Sequence, residues 1–145
     1  MKTLIRLITI LAVSLAAVAS VSGCKKDNGT PDITGEWKLD DISAITRGET
    51  YGINVYLVLS PDGVFHIWQQ LQEGRYKHYT GTWTQNHKVI NGVYADGKAW
   101  GIDSYVVSVS GDTLKLTAQN GSREVTTYIR TSVPEDVKAG AVEAQ

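Results

Sequence analysis

From Gly35 onward, apolar and polar residues alternate with a period of two in short runs separated by turn-forming residues. Alternation of this kind marks strands with one face buried, and their regular spacing marks an all-β sandwich or barrel. Strands are predicted at about 35–42, 51–60, 64–71, 75–84, 88–94, 99–109, 112–118 and 123–131. The breaks are Pro61-Asp62-Gly63, Gln72-Glu73-Gly74, Gln85-Asn86-His87, Ala95-Asp96-Gly97, Ser110-Gly111-Asp112 and Asn120-Gly121-Ser122. Each contains residues that tolerate a left-handed backbone or preset a turn. Nearly every connection is hairpin-short, so consecutive strands are expected to be antiparallel neighbours. Eight strands in up-and-down order can close into a barrel, which removes exposed edges. The tail, 132–145, contains Pro134 and no aromatic residue, and is expected to be loose.

One register follows from a turn. Ser60-Pro61-Asp62-Gly63-Val64 fits a type I turn with Gly63 left-handed, which pairs Ser60 with Val64. Leu59 then faces Phe65, Leu57 faces Ile67 and Val55 faces Gln69; a hairpin centred on Glu73 sets Phe65 against Gly81, Ile67 against Tyr79 and Gln69 against Lys77. One face thereby collects Ile53, Val55, Leu57, Leu59, Phe65, Ile67, Leu71, Tyr79 and Trp83. A one-residue slip would turn the whole set outward.

The N-terminal segment departs from this pattern. Lys2 and Arg6 precede an apolar run over 7–18, then small residues up to Gly23, the layout of an export signal. The run has 12 residues, against the ~20 that span a bilayer as a helix. Val21-Ser22-Gly23-Cys24 resembles the lipobox of bacterial lipoproteins. That resemblance implies cleavage after residue 23 and acylation of Cys24, with 24–32 as a flexible tether to a membrane, expected to be the outer membrane on either face. Without the leader the chain carries 12 basic and 15 acidic residues. Scattered, weakly acidic charge offers no footprint for nucleic acid. A lone cysteine leaves no internal disulfide, and no metal site or other cofactor is expected from three dispersed histidines.

Gly35-Glu36-Trp37 on the first strand resembles the G-x-W motif of lipocalins. The ordered set Gly35-Glu36-Trp37-Lys38-Leu39, Leu57-Val58-Leu59-Ser60-Pro61-Asp62-Gly63-Val64-Phe65, Tyr79-Thr80-Gly81-Thr82-Trp83 and Gly111-Asp112-Thr113-Leu114-Lys115-Leu116 is similar to the lipocalin-like domains of bacterial outer-membrane lipoproteins. It spans about 33–131 and implies a small eight-stranded barrel with one closed and one open end. The resemblance further implies an arginine of the last strand lying over the first tryptophan. Arg130 is the candidate for Trp37, with Arg123 as the alternative.

Within that frame the open mouth is ringed by 43–50, which could close as a lid, together with 72–74, 95–98 and 119–122. Leu57, Ile67 and Trp83 form an apolar shaft, Gln69, Arg75, Lys77 and Tyr79 its polar rim, and Trp100 joins at the edge. The two cations suit a carboxylate or phosphate head group, so the ligand expected is a small apolar or amphipathic molecule. The opposite parity carries Tyr56, Val58, His66, Trp68 and His78. This aromatic ladder either stabilises the sheet or packs against the tail, or else it is a contact surface for a protein or glycan. No nucleophile elbow or other catalytic constellation is present in the pattern, and a non-enzymatic protein is expected. Two functions follow as expectations. The first is a membrane-anchored barrel that holds a ligand; the second is an interaction module, an inhibitor or envelope-complex subunit, with a filled barrel as scaffold.

Overall fold

The computed structural model describes residues 29–42, 52–101 and 104–144. Cys24, most of the tether and the loop 43–50 lie outside them. The strands are β1 (Gly35–Ile42), β2 (Ile53–Leu59), β3 (Val64–Leu71), β4 (Lys77–Asn86), β5 (Val89–Tyr94), β6 (Tyr105–Ser110), β7 (Thr113–Ala118) and β8 (Val125–Arg130). Neighbours in sequence are neighbours in space, and β1 pairs with β8 while β3 pairs with β4, so the sheet closes into an antiparallel eight-stranded barrel. The turn after β2 sets the register as expected. Gly63 has φ +83°, and the Ser60 N–H bonds the Val64 carbonyl at 2.9 Å. Leu59 faces Phe65, Leu57 faces Ile67 and Val55 faces Gln69, and these face Gly81, Tyr79 and Lys77 in turn.

The inward set packs around Trp37, Leu57, Leu59, Phe65, Ile90, Val107, Leu114 and Leu116. Its closed end is built on Trp37. The indole N–H donates to the Ile33 carbonyl at 2.9 Å, drawing the chain before β1 across the barrel floor. The Arg130 guanidinium lies 4.1 Å from the centre of the Trp37 ring and donates to the Thr34 carbonyl at 3.2 Å. Gly35 holds φ +128°, a backbone conformation that other residues rarely adopt, and a Cβ there would also push the Arg130 guanidinium from its place.

Two segments differ from the sequence-based expectation. The sixth strand begins at Tyr105, six residues later than predicted. Ala99 makes a single bridge to Val93, and the chain then turns Trp100 into the barrel. Trp100 N–H bonds the Gly92 carbonyl at 2.7 Å, and the indole lies flat where a Gly92 side chain would be. Among the described residues, β5 and β6 consequently pair only at Val89–Val106 and Ile90–Tyr105.

The tail is the second correction, because it is folded rather than loose. It forms α1 (Glu135–Gly140) and β9 (Val142–Glu143), which adds in parallel to β4. Val133 and Val137, four residues apart, are buried against Tyr56 and Trp68. The Val133 N–H donates to the Glu36 carboxylate at 2.6 Å. Val142 and Ala144 N–H groups bond the Tyr76 and His78 carbonyls, each at 2.9 Å.

Candidate functional site

Inward-pointing side chains of β2, β3, β5, β6, β7 and β8, with the 100–101 segment, line a cavity of about 230 Å³. The lining is Leu57, Ile67 and Leu116 on the aliphatic side, and Tyr94, Trp100, Tyr105 and Tyr128 on the aromatic side, with Thr126 and Gly101 between them. No charged residue is among them. The space remains open beside the poorly paired β5–β6 seam, where Trp100 leaves the strand.

The polar groups of this wall have unusual surroundings. Trp100 is 5 % exposed, and its indole N–H is buried without a hydrogen-bond partner. Other tryptophans do better: Trp37 donates to Ile33 and Trp83 to Ser60 and Val64. The Tyr94, Tyr105 and Tyr128 hydroxyls belong to the same wall. Burial pushes all three phenols above their ordinary range, Tyr128 furthest. They are therefore un-ionised at neutral pH and remain hydrogen-bond donors.

Of the ligand candidates, the structure brings Leu57, Ile67 and Trp100 together at the cavity. Gln69 and Tyr79 instead line depressions at the rim beside β9. Arg75 and Lys77 are exposed, and with Leu71 and Val142 they edge one of these rim depressions, of about 390 Å³. Lys77 pairs with Gln69 at the first position of β4 and Arg75 lies before that strand begins, so both sit where the barrel ends and water begins and neither reaches the inner cavity. Trp83 is no part of it either. Its N–H is shared between the Ser60 and Val64 carbonyls at 3.1 and 3.2 Å, which ties it to the β2–β3 turn at the closed end.

Tyr94, Tyr105, Thr126 and Tyr128 were missed from sequence, although parity locates three of them. Tyr128 faces Leu114 and Thr126 faces Leu116, while Tyr105 shares the parity of buried Val107. Tyr94 faces Gly81, opposite Phe65.

The aromatic ladder is not a free surface. Tyr56 and Trp68 are each 7 % exposed because Val133 and Val137 cover them, with Val58 packed alongside. Trp68 stacks on His78 at 4.8 Å and on His66 at 5.6 Å. His78 Nδ1 lies 2.7 Å from the Glu143 carboxylate, and its other ring nitrogen is 3.0 Å from His66 Nδ1. The two histidines thus join the tail to the barrel wall. Among the described residues, no group of three His, Cys, Asp or Glu side chains is placed to hold a metal ion.

Comparison with known proteins gives one family. The lipocalin-like domain matches residues 33–116. No curated protein matches the chain. Among solved structures, the lipoprotein YedD of Klebsiella pneumoniae is similar at 20 % identity and a TM-score of 0.44, covering 77 % of this chain and 86 % of that one. Fatty-acid-binding protein 1 of Echinococcus granulosus is similar at 14 % identity and a TM-score of 0.39, covering 69 % of this chain and 98 % of that one.

Proposed function

This chain belongs to the lipocalin-like domain family, and we propose that it is an envelope lipoprotein whose barrel holds one small, largely apolar molecule. The observation that carries this reading is the cavity of about 230 Å³ between Leu57, Ile67, Trp100 and Tyr128, with no charged group among the described residues that line it. Burying apolar surface there is worth ~25 cal/mol per Å², and the aromatic wall supplies most of the area. The volume lies below the ~300–1,000 Å³ of drug-sized sites, so the ligand is compact. An anionic head group at Arg75 and Lys77 is not part of this reading, because neither lines the cavity.

Filling the space tests the proposal. Thr126 lines the cavity on β8, and Thr126→Phe places a ring inside it. The expected cost is about 1–3 kcal/mol of stability from overpacking, with loss of the fluorescence response of the tryptophans to small aromatic ligands. A variant that binds as the parent does would show that ligands sit elsewhere.

We further propose that Cys24 carries the lipid anchor and that 24–32 tether the barrel to the outer membrane. One acyl chain binds a membrane only marginally and two bind durably, so a diacylated cysteine holds the protein in place. The end of this tether is already docked on the barrel, since the Pro31 carbonyl accepts from Gln85 at 2.9 Å. Cys24→Ser is expected to move the protein from the membrane to the soluble fraction and to remove the acyl mass increment. A variant still sedimenting with membranes would contradict the anchor.

A further inference from the structure

The wall of the cavity specifies more than apolarity, and the inference from it rests on the proposed ligand-binding reading. Five of its side chains carry polar hydrogens: the Trp100 indole N–H and the hydroxyls of Tyr94, Tyr105, Thr126 and Tyr128. Among the described residues, the indole N–H is the buried side-chain polar group with nothing to receive it. Buried donors in folded proteins are nearly always paired, because an unpaired one forfeits its hydration. Trp100 is also fixed where it stands: its main chain is bonded to Gly92 at 2.7 Å, and its ring rests 4.8 Å from Phe65. It cannot swing outward to find water without breaking that packing. The missing partner is therefore to be sought in the cavity that the indole lines.

Among the described residues, no carboxylate, guanidinium or ammonium group lines the space to neutralise an ionic ligand. Bringing an isolated charge there would incur its full desolvation cost. We propose that the natural ligand is a neutral, compact, flat molecule bearing a hydrogen-bond acceptor such as a carbonyl oxygen. Its ring system packs between Tyr94, Tyr105 and Tyr128, and its acceptor takes the Trp100 N–H together with a phenol hydroxyl. Discrimination by this site is against ions of either sign and against hydrocarbons of the same shape, which leave the donors unpaired.

The test uses four probes of one size with the full chain bearing Cys24→Ser: acetophenone, benzoate, phenyltrimethylammonium and ethylbenzene. Binding is followed by the indole N–H resonances of the four tryptophans in nitrogen–proton correlation spectra. Acetophenone is expected to bind at least tenfold more tightly than the other three and to move the Trp100 N–H signal downfield. The hydrogen-bonded Trp37 and Trp83 signals should stay in place. Tyr128→Phe, which deletes one oxygen, should weaken acetophenone several-fold and leave ethylbenzene unchanged; Tyr105→Phe serves the same purpose if the first variant does not fold. Equal or tighter binding of benzoate or phenyltrimethylammonium overturns the neutral-acceptor specificity while leaving a ligand-binding barrel. Tight ethylbenzene binding that matches acetophenone does the same. Binding of none of the four overturns the cavity as a ligand site, and this specificity with it.

Discussion

Trp37→Ala is expected to destabilise the protein by about 3–5 kcal/mol, the usual loss for removing a buried tryptophan. Trp37 is fully buried, and three separate contacts depend on it. It fills the floor of the barrel, its N–H holds Ile33, and its ring carries the Arg130 guanidinium. Removing it leaves Arg130 to find its attraction in the Thr34 carbonyl and in Asp112, 3.8 Å away, alone. Arg130→Met keeps the cover over the ring but loses the cation–π attraction, so it should cost only about 0.5–2 kcal/mol. Urea denaturation checks both. A Trp37→Ala loss below 1 kcal/mol would mean that the floor is not the keystone of the closed end.

Trp68→Ala should be nearly as damaging, at about 3 kcal/mol, and its effect should spread to a distant part of the sequence. Trp68 is held between His66 and His78 on one side and the Val133–Val137 ridge on the other. Without it α1 loses its seat, and the Val142 and Ala144 amides should lose their protection from hydrogen exchange while the β2–β3 amides keep theirs. Ligand binding in the inner cavity should be unaffected, because Trp68 points to the opposite face. A stable variant with a protected tail and lost binding to a protein or glycan would restore the contact-surface reading of this face. Acid should loosen the same clasp. Burial, then the neighbouring His78, lower the His66 pKa below the ordinary 6.5. The folded state therefore takes up its proton later than the unfolded one, and the stability present above that pH is lost as pH falls toward the folded value.

The barrel was legible in sequence because its information is local. The Pro61-Asp62-Gly63 turn sets one register, two-residue alternation propagates it, and Gly35 and Trp37 announce the floor. What escaped was long-range. Val133 and Val137 are two modest apolar residues in a polar tail, and nothing nearby reveals that Tyr56 and Trp68 wait for them. Trp100 looked like a strand residue because it alternates with its neighbours in the 99–109 stretch; Gly92, eight positions earlier on β5, gives the indole a place to lie. Lys77 has the expected pairing with Gln69 and Arg75 precedes the strand, but both stand at the wrong height along the barrel axis, and parity says nothing about height.

The central claim is that the barrel holds a small molecule, and native mass spectrometry of the Cys24→Ser chain, freshly purified without detergent, tests it most directly. The account predicts one additional compact mass on the folded protein, lost on denaturation and absent from Thr126→Phe. A bare parent chain that also takes up none of the neutral or amphiphilic compounds offered to it would contradict the claim and leave the barrel a scaffold.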